Sequence, residues 1–139
     1  MVVRVDAELD ESSVDDVTQC EGKIVNQSRA FLPPGSEAKI QQGLDEFNAV
    51  LHPLGLQTKL VVVERANSLA LYLICLTLSA LMSLRGQWRT RELRDIVEEL
   101  FTFLSGATDT VLIRRLSWPG SDYERCLEFI SSVQGEALI

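Results

Sequence analysis

The stretch from Lys59 to Leu84, KLVVVERANSLALYLICLTLSALMSL, constrains the fold more than any other part of the chain. Two apolar runs are broken only by Glu64-Arg65-Ala66-Asn67, and no charge stands between Ser68 and Leu84. A strand with one solvated face alternates apolar and polar residues. Side chains this uniformly apolar need cover on both sides, from the rest of the chain or from a partner. The second run is short for a bilayer and carries Ser68, Thr77, Ser79 and Ser83, which favours a buried segment over a membrane span.

Leu60 to Glu64 is β-branched and reads as a strand, and Ala66-Asn67 suits a tight turn because asparagine tolerates positive φ. From Ser68 two readings compete. As a strand, Leu69, Leu71, Leu73 and Cys75 share one face, with Ala70, Tyr72 and Ile74 on the other. As a helix the run is apolar all round, and its leucines favour that state. The short turn after a clear strand tips the choice to a hairpin, with strand to about Leu76 and helix from about Leu78.

Val2 to Leu9 alternates valine and alanine with Arg4, Asp6 and Glu8, the period of a half-buried strand. Residues 10–35 read as a long polar, acidic connection with room for a short extra element, ending in Pro33-Pro34-Gly35. Ser36 then caps a helix with Ile40, Leu44, Phe47 and Leu51 inward, closed by Pro53 and Gly55. Leu93, Val97, Leu100 and Leu104 make an amphipathic stripe over 90–104, set apart from the preceding turns by Gly86-Gln87-Trp88. Asp109–Ser117 follows as a strand. Ser121-x-x-Glu124 is a capping box for a last helix that buries Tyr123, Leu127, Ile130 and Val133.

The order predicts one α+β domain over 1–139, a ferredoxin-like β-α-β-β-α-β-(α) two-layer sandwich with a four-stranded antiparallel sheet. One face of such a sheet stays bare unless covered. Here it presents Val62, Tyr72 and Ile74, or the complementary set if the register is reversed. The competing reading folds the last helix or the 10–35 segment over that face.

Little in the chain points to catalysis. His52 is the only histidine, which excludes multi-histidine metal sites, and beside Pro53 it suits a helix C-terminus. Cys20, Cys75 and Cys126 are too widely spaced for a zinc site, and an odd count fits reduced thiols in a cytoplasmic or nuclear protein better than a secreted disulfide framework. Glycine-rich phosphate loops are absent, as are acid pairs distinct from solvated faces. The sequence therefore supports no enzyme assignment, no cofactor and no metal.

Net charge is −7, and Met1 to Gly22 holds seven acids against Arg4 alone. This acidic balance, with Tyr72 the lone aromatic on the hairpin, argues against nucleic acid. Arg85, Arg89, Arg91 and Arg94 form the one basic cluster that could grip an anion, although Glu92 and Asp95 intersperse it. The favoured reading is a protein–protein interaction module, binding a partner or a second copy through an apolar sheet face or an open edge. Its candidate contacts are Val62, Tyr72 and Ile74, with Trp88 and Trp118 as anchors; the alternative is an anion-binding regulatory domain built on the four arginines.

The elements KLVVVER, SLALYLICL, RTRELRDIVEELFTFL, TDTVLIRRLSW and SDYERCLEFISSV carry a further signal in their order. With the Glu124-Arg125-Cys126-Leu127 string of the last helix, they resemble the N-terminal domain of the death-receptor adaptor TRADD. That resemblance implies a plait-like sandwich that engages a TRAF partner through its sheet side. The long acidic connection departs from the pattern, and no functional residue is carried over.

Overall fold

The structure, a computed structural model, describes residues 1–32 and 43–137, with side chains as far as residue 132. Strand β1 (Val2–Leu9) leads through a 3-10 turn at Glu11–Ser13 into helix α1 (Val17–Phe31). Helix α2 (Leu44–Leu51) and a turn at His52–Leu54 lead to the hairpin of β2 (Thr58–Arg65) and β3 (Leu69–Cys75). Helices α3 (Leu78–Arg89) and α4 (Glu92–Ser105), strand β4 (Ile113–Ser117) and helix α5 (Gly120–Ala137) complete the chain. The strands form one antiparallel four-stranded sheet in the order β2-β3-β1-β4. The expected α+β class with an open antiparallel sheet is the observed one, and the run after Ser68 is a strand rather than a helix.

Alternation divides the sheet cleanly. Val3, Val5, Ala7 and Leu9 of β1 lie beside Leu69, Leu71, Leu73 and Cys75 of β3 on the inner face, all buried. Leu93, Ile96, Val97 and Leu100 of α4 close over Val5, Leu71 and Leu73, with Leu51, Leu54 and Leu60 completing that layer. Each side chain of this size contributes about 1.5–3 kcal/mol when fully buried. Helix α1 packs beside α4 and against β2. Gly43 precedes α2 at φ 88°, and a Cβ there would sit 3.4 Å from the Phe103 ring and 3.5 Å from Phe31. Glycine meets both demands and lets Phe31 stack on Phe47 with ring centres 4.6 Å apart.

Several sequence expectations are corrected. Residues 10–35 are not chiefly connection, because α1 occupies fifteen of them. Asp16 caps that helix by accepting from the Gln19 N–H, and Cys20, Ile24, Val25 and Ser28 form its buried stripe. The helix expected from Ser36 opens at Leu44 behind left-handed Gly43; Ser36 and Ile40 lie outside the described residues. Gly86-Gln87-Trp88 does not separate two helices: α3 runs through it to Arg89, and the break falls at Arg91, which is left-handed at φ 69°. The strand expected from Asp109 begins at Ile113, because Val111 and Ile113 donate their N–H groups to the Thr102 hydroxyl and the Glu98 carboxylate of α4. Ser121 caps nothing, since α5 already starts at Gly120 and the Pro119 carbonyl accepts from Asp122 and Tyr123. In α5 the buried residues are Cys126 and Ile130, with Tyr123 and Leu127 half-buried; the Val133 side chain lies outside the described set.

Candidate functional site: the open sheet face

Among the described residues the outer face is left uncovered by the same alternation that builds the inner one. Helix α1 packs beside α4 and against β2, and α5 packs on α3 and β1, so among the described residues neither segment that could have covered the outer face does. Val2 and Ile74 are direct partners across β1 and β3, Arg4 faces Tyr72, and Asp6 faces Ala70. On the other side of β3, Lys59 faces Ile74, Val62 faces Tyr72, and Glu64 faces Ala70. Leu76 extends this side of β3 beyond the strand, its N–H donating to the Gln57 carbonyl at 2.8 Å.

A β-bulge decides which β2 residues reach the outer face. The register slips between Leu60 and Val62, so Val61 is the extra residue. Without that slip Val62 would follow Leu60 inward. With it, Val62 is 40 % exposed opposite Tyr72, and Val63 is 3 % exposed in the core.

The face has two halves. One is apolar: Val2 (56 % exposed) and Leu76 (52 %) stand with Ile74, Val62 and the Tyr72 ring. The other is charged. Arg4 bonds Asp6 at 3.1 Å, Arg114 reaches Glu8 at 3.7 Å, and Arg4, Asp6, Asn67, Ser68 and Arg115 rim a shallow hollow beside them. Tyr72 sits on the boundary. Its ring lies 5.8 Å below the Arg4 guanidinium, and interaction of its hydroxyl with the Glu64 carboxylate raises the phenol above its ordinary pKa. The Asp6 carboxylate likewise raises Arg4. This surface can bury apolar groups at one end and align charges at the other.

The structure thus brings Val62, Tyr72 and Ile74 together and sends the two tryptophans elsewhere. Trp118 is 2 % exposed in the core and offers no surface to a partner. Trp88 is half-buried and donates its ring N–H to the Leu116 carbonyl. The arginine cluster is also divided. Arg85 is buried, donates to the Trp118 carbonyl at 2.7 Å, and lies within 4.2–5.1 Å of the Trp88, Tyr123 and Trp118 ring centres. Burial, then the neighbouring Arg89 charge, lowers its pKa. Arg94 turns to the Arg114 carbonyl, and Arg89 and Arg91 are exposed. His52 caps α2 through its main chain alone. Val2 and Leu76 were missed by sequence reasoning, although their parity with Ile74 was available as a signal.

Among the described residues no group of three or more His, Cys, Asp or Glu side chains is placed to hold a metal ion, and no helix is long and apolar enough to cross a membrane. No family model, curated protein or solved structure matches this chain.

Proposed function

We propose that this chain is a protein–protein interaction module whose contact surface is the outer face of the sheet. One observation carries the reading: Val2, Val62, Tyr72, Ile74 and Leu76 gather on a face that no described element covers. A partner seated there removes these groups from water, each Å² of apolar surface contributing about 25 cal/mol. The charged half sets orientation and adds little affinity of its own. Resemblance to the TRADD N-terminal domain points to a TRAF-type partner for the same face.

A photo-crosslinking phenylalanine analogue at position 72, used in cells that make the protein, tests this. The expected result is one dominant protein adduct, lost when Ile74 is also changed to aspartate in a chain that still folds. Crosslinking that persists in the Ile74→Asp variant refutes the assignment of the face. Light scattering on the purified chain separates the two kinds of partner, since self-association gives a dimer that resists moderate salt.

A further inference from the structure

The buried guanidinium of Arg85 is far from satisfied, and its unused donors meet the start of a helix. A guanidinium carries five N–H donors in one plane. The Trp118 carbonyl takes one of them, from Nη1. Arg85 Nε is buried without a partner, and so is the indole Nε1 of Trp118 beside it. Arg85 is 8 % exposed and forms no ion pair with a described carboxylate. Its Nη2 points at Gly120, 3.8 Å from where a Cβ would stand.

Gly120 is the first residue of the 18-residue helix α5. Asp122 and Tyr123 both donate to the Pro119 carbonyl, so the N–H groups of Gly120 and Ser121 are the ones left at the helix end. Both residues are exposed, which opens this point to solvent. The nearest first-turn acid, Asp122, is bonded to Arg125. Arg85 Nη2 and the free helix N-terminus therefore come together at a point open to solvent, on a guanidinium whose Nε has no partner.

We propose that the junction of Arg85 with the N-terminus of α5 binds one small oxyanion, a phosphate or a carboxylate, held by Arg85 Nη2 and the main-chain N–H groups of Gly120 and Ser121. Aligned peptide dipoles favour negative charge there, and the guanidinium fork matches the geometry of both anions. This site is separate from the sheet face and stands or falls without it. It also narrows the anion-binding alternative to Arg85 alone among Arg85, Arg89, Arg91 and Arg94.

Trp88 and Trp118, the only tryptophans in the chain, both flank Arg85 and provide the signal. Inorganic phosphate, and separately acetate, is titrated at constant ionic strength against chloride. A saturable fluorescence change with either oxyanion but not with chloride is expected. Gly120→Pro removes one donor at a helical position that accepts proline, and its Cβ meets Arg85 Nη2 only at an ordinary contact distance of 3.8 Å. Loss of one charge-assisted hydrogen bond should weaken binding by roughly tenfold or more. Arg85→Lys keeps the charge, loses the fork, and should weaken binding by a similar factor. Equal responses to chloride and oxyanion, or wild-type titration by the Gly120→Pro protein with unchanged melting, overturns the site. If Arg85→Lys does not fold, Gly120→Pro decides alone.

Discussion

Val62 and Val63 are the same residue type, adjacent in one strand, and the structure gives them opposite fates. Consider aspartate at each in turn. At position 63 the side chain is 3 % exposed among Leu60, Leu71 and their neighbours. The substitution forfeits about 1.5–3 kcal/mol of valine burial. It also places a carboxylate where no cation awaits it, adding at least 1–3 kcal/mol even if it stays protonated. A total of about 2.5–6 kcal/mol is comparable with the lower part of the 5–15 kcal/mol that stabilises a typical domain. At position 62 the side chain is 40 % exposed against Tyr72. Lost β-propensity and a weakened cross-strand pair should cost about 1 kcal/mol, a fall of roughly 3 °C in Tm for a chain this long. Urea denaturation followed by circular dichroism measures both proteins. Val63→Asp should be largely unfolded without denaturant, and Val62→Asp should show a slightly lower midpoint with an unchanged slope. The reverse ranking would mean a strand without the bulge at Val61, with a different set of side chains on the outer face, and the proposed contact surface would fall with it.

Other perturbations probe the supports of the sheet and its titrating groups. The Thr102 hydroxyl donates to the Glu98 carbonyl at 2.7 Å and accepts from the Val111 N–H at 2.9 Å; Thr102→Val strands that donor and should cost about 1–2 kcal/mol in a urea titration. Burial pushes the Cys20, Cys75 and Cys126 thiols up. Their folded pKa values thus exceed the unfolded value of about 8.5, so their contribution to stability is intact below that pH and declines as pH rises above it. Melting at pH 7 to 10 should show the decline, and a thiol reagent should label the native chain far more slowly than the unfolded one; rapid native labelling would contradict the burial. The Ser12 hydroxyl and N–H hold Asp10 below its ordinary value. Its contribution is present above about pH 3.9 and lost as pH falls toward the lower folded value. Asp10→Asn should accordingly flatten the acid limb of a Tm-against-pH curve and leave the neutral region's shape unchanged.

What the sequence could and could not convey follows from how each element is held. The β1 alternation, the hairpin and the α4 stripe are legible because hydrophobic burial alone specifies them, and burial leaves a period in the residues. Helix α1 is nearly illegible for the opposite reason. Its buried stripe is Cys20, Ile24, Val25 and Ser28, one position of which is a hydroxyl that returns its proton to the Val25 carbonyl. The tryptophans read as anchors by type. Their burial depends on Arg85, a charged residue whose place in an aromatic box no local pattern announces. The sheet face is an intermediate case. Parity from Tyr72 and Ile74 identifies one side of β3, yet Val62 joins that side only through the extra residue at Val61. A bulge changes which residues face out while leaving the composition of the strand untouched, so three consecutive valines cannot reveal it. The proposed contact surface is therefore set by a backbone irregularity, and a deletion of Val61 tests the assignment. It removes the extra residue, so that Leu60 opposite Leu73 is followed directly by Val62 opposite Tyr72 in a regular ladder. Leu60 and Val63 then stay inward, and Val62 and Glu64 stay outward. Such a variant should fold at a modest cost, since it removes only a half-buried valine and the local bend; if it unfolds, the extra residue is not Val61 and a different set of side chains faces outward.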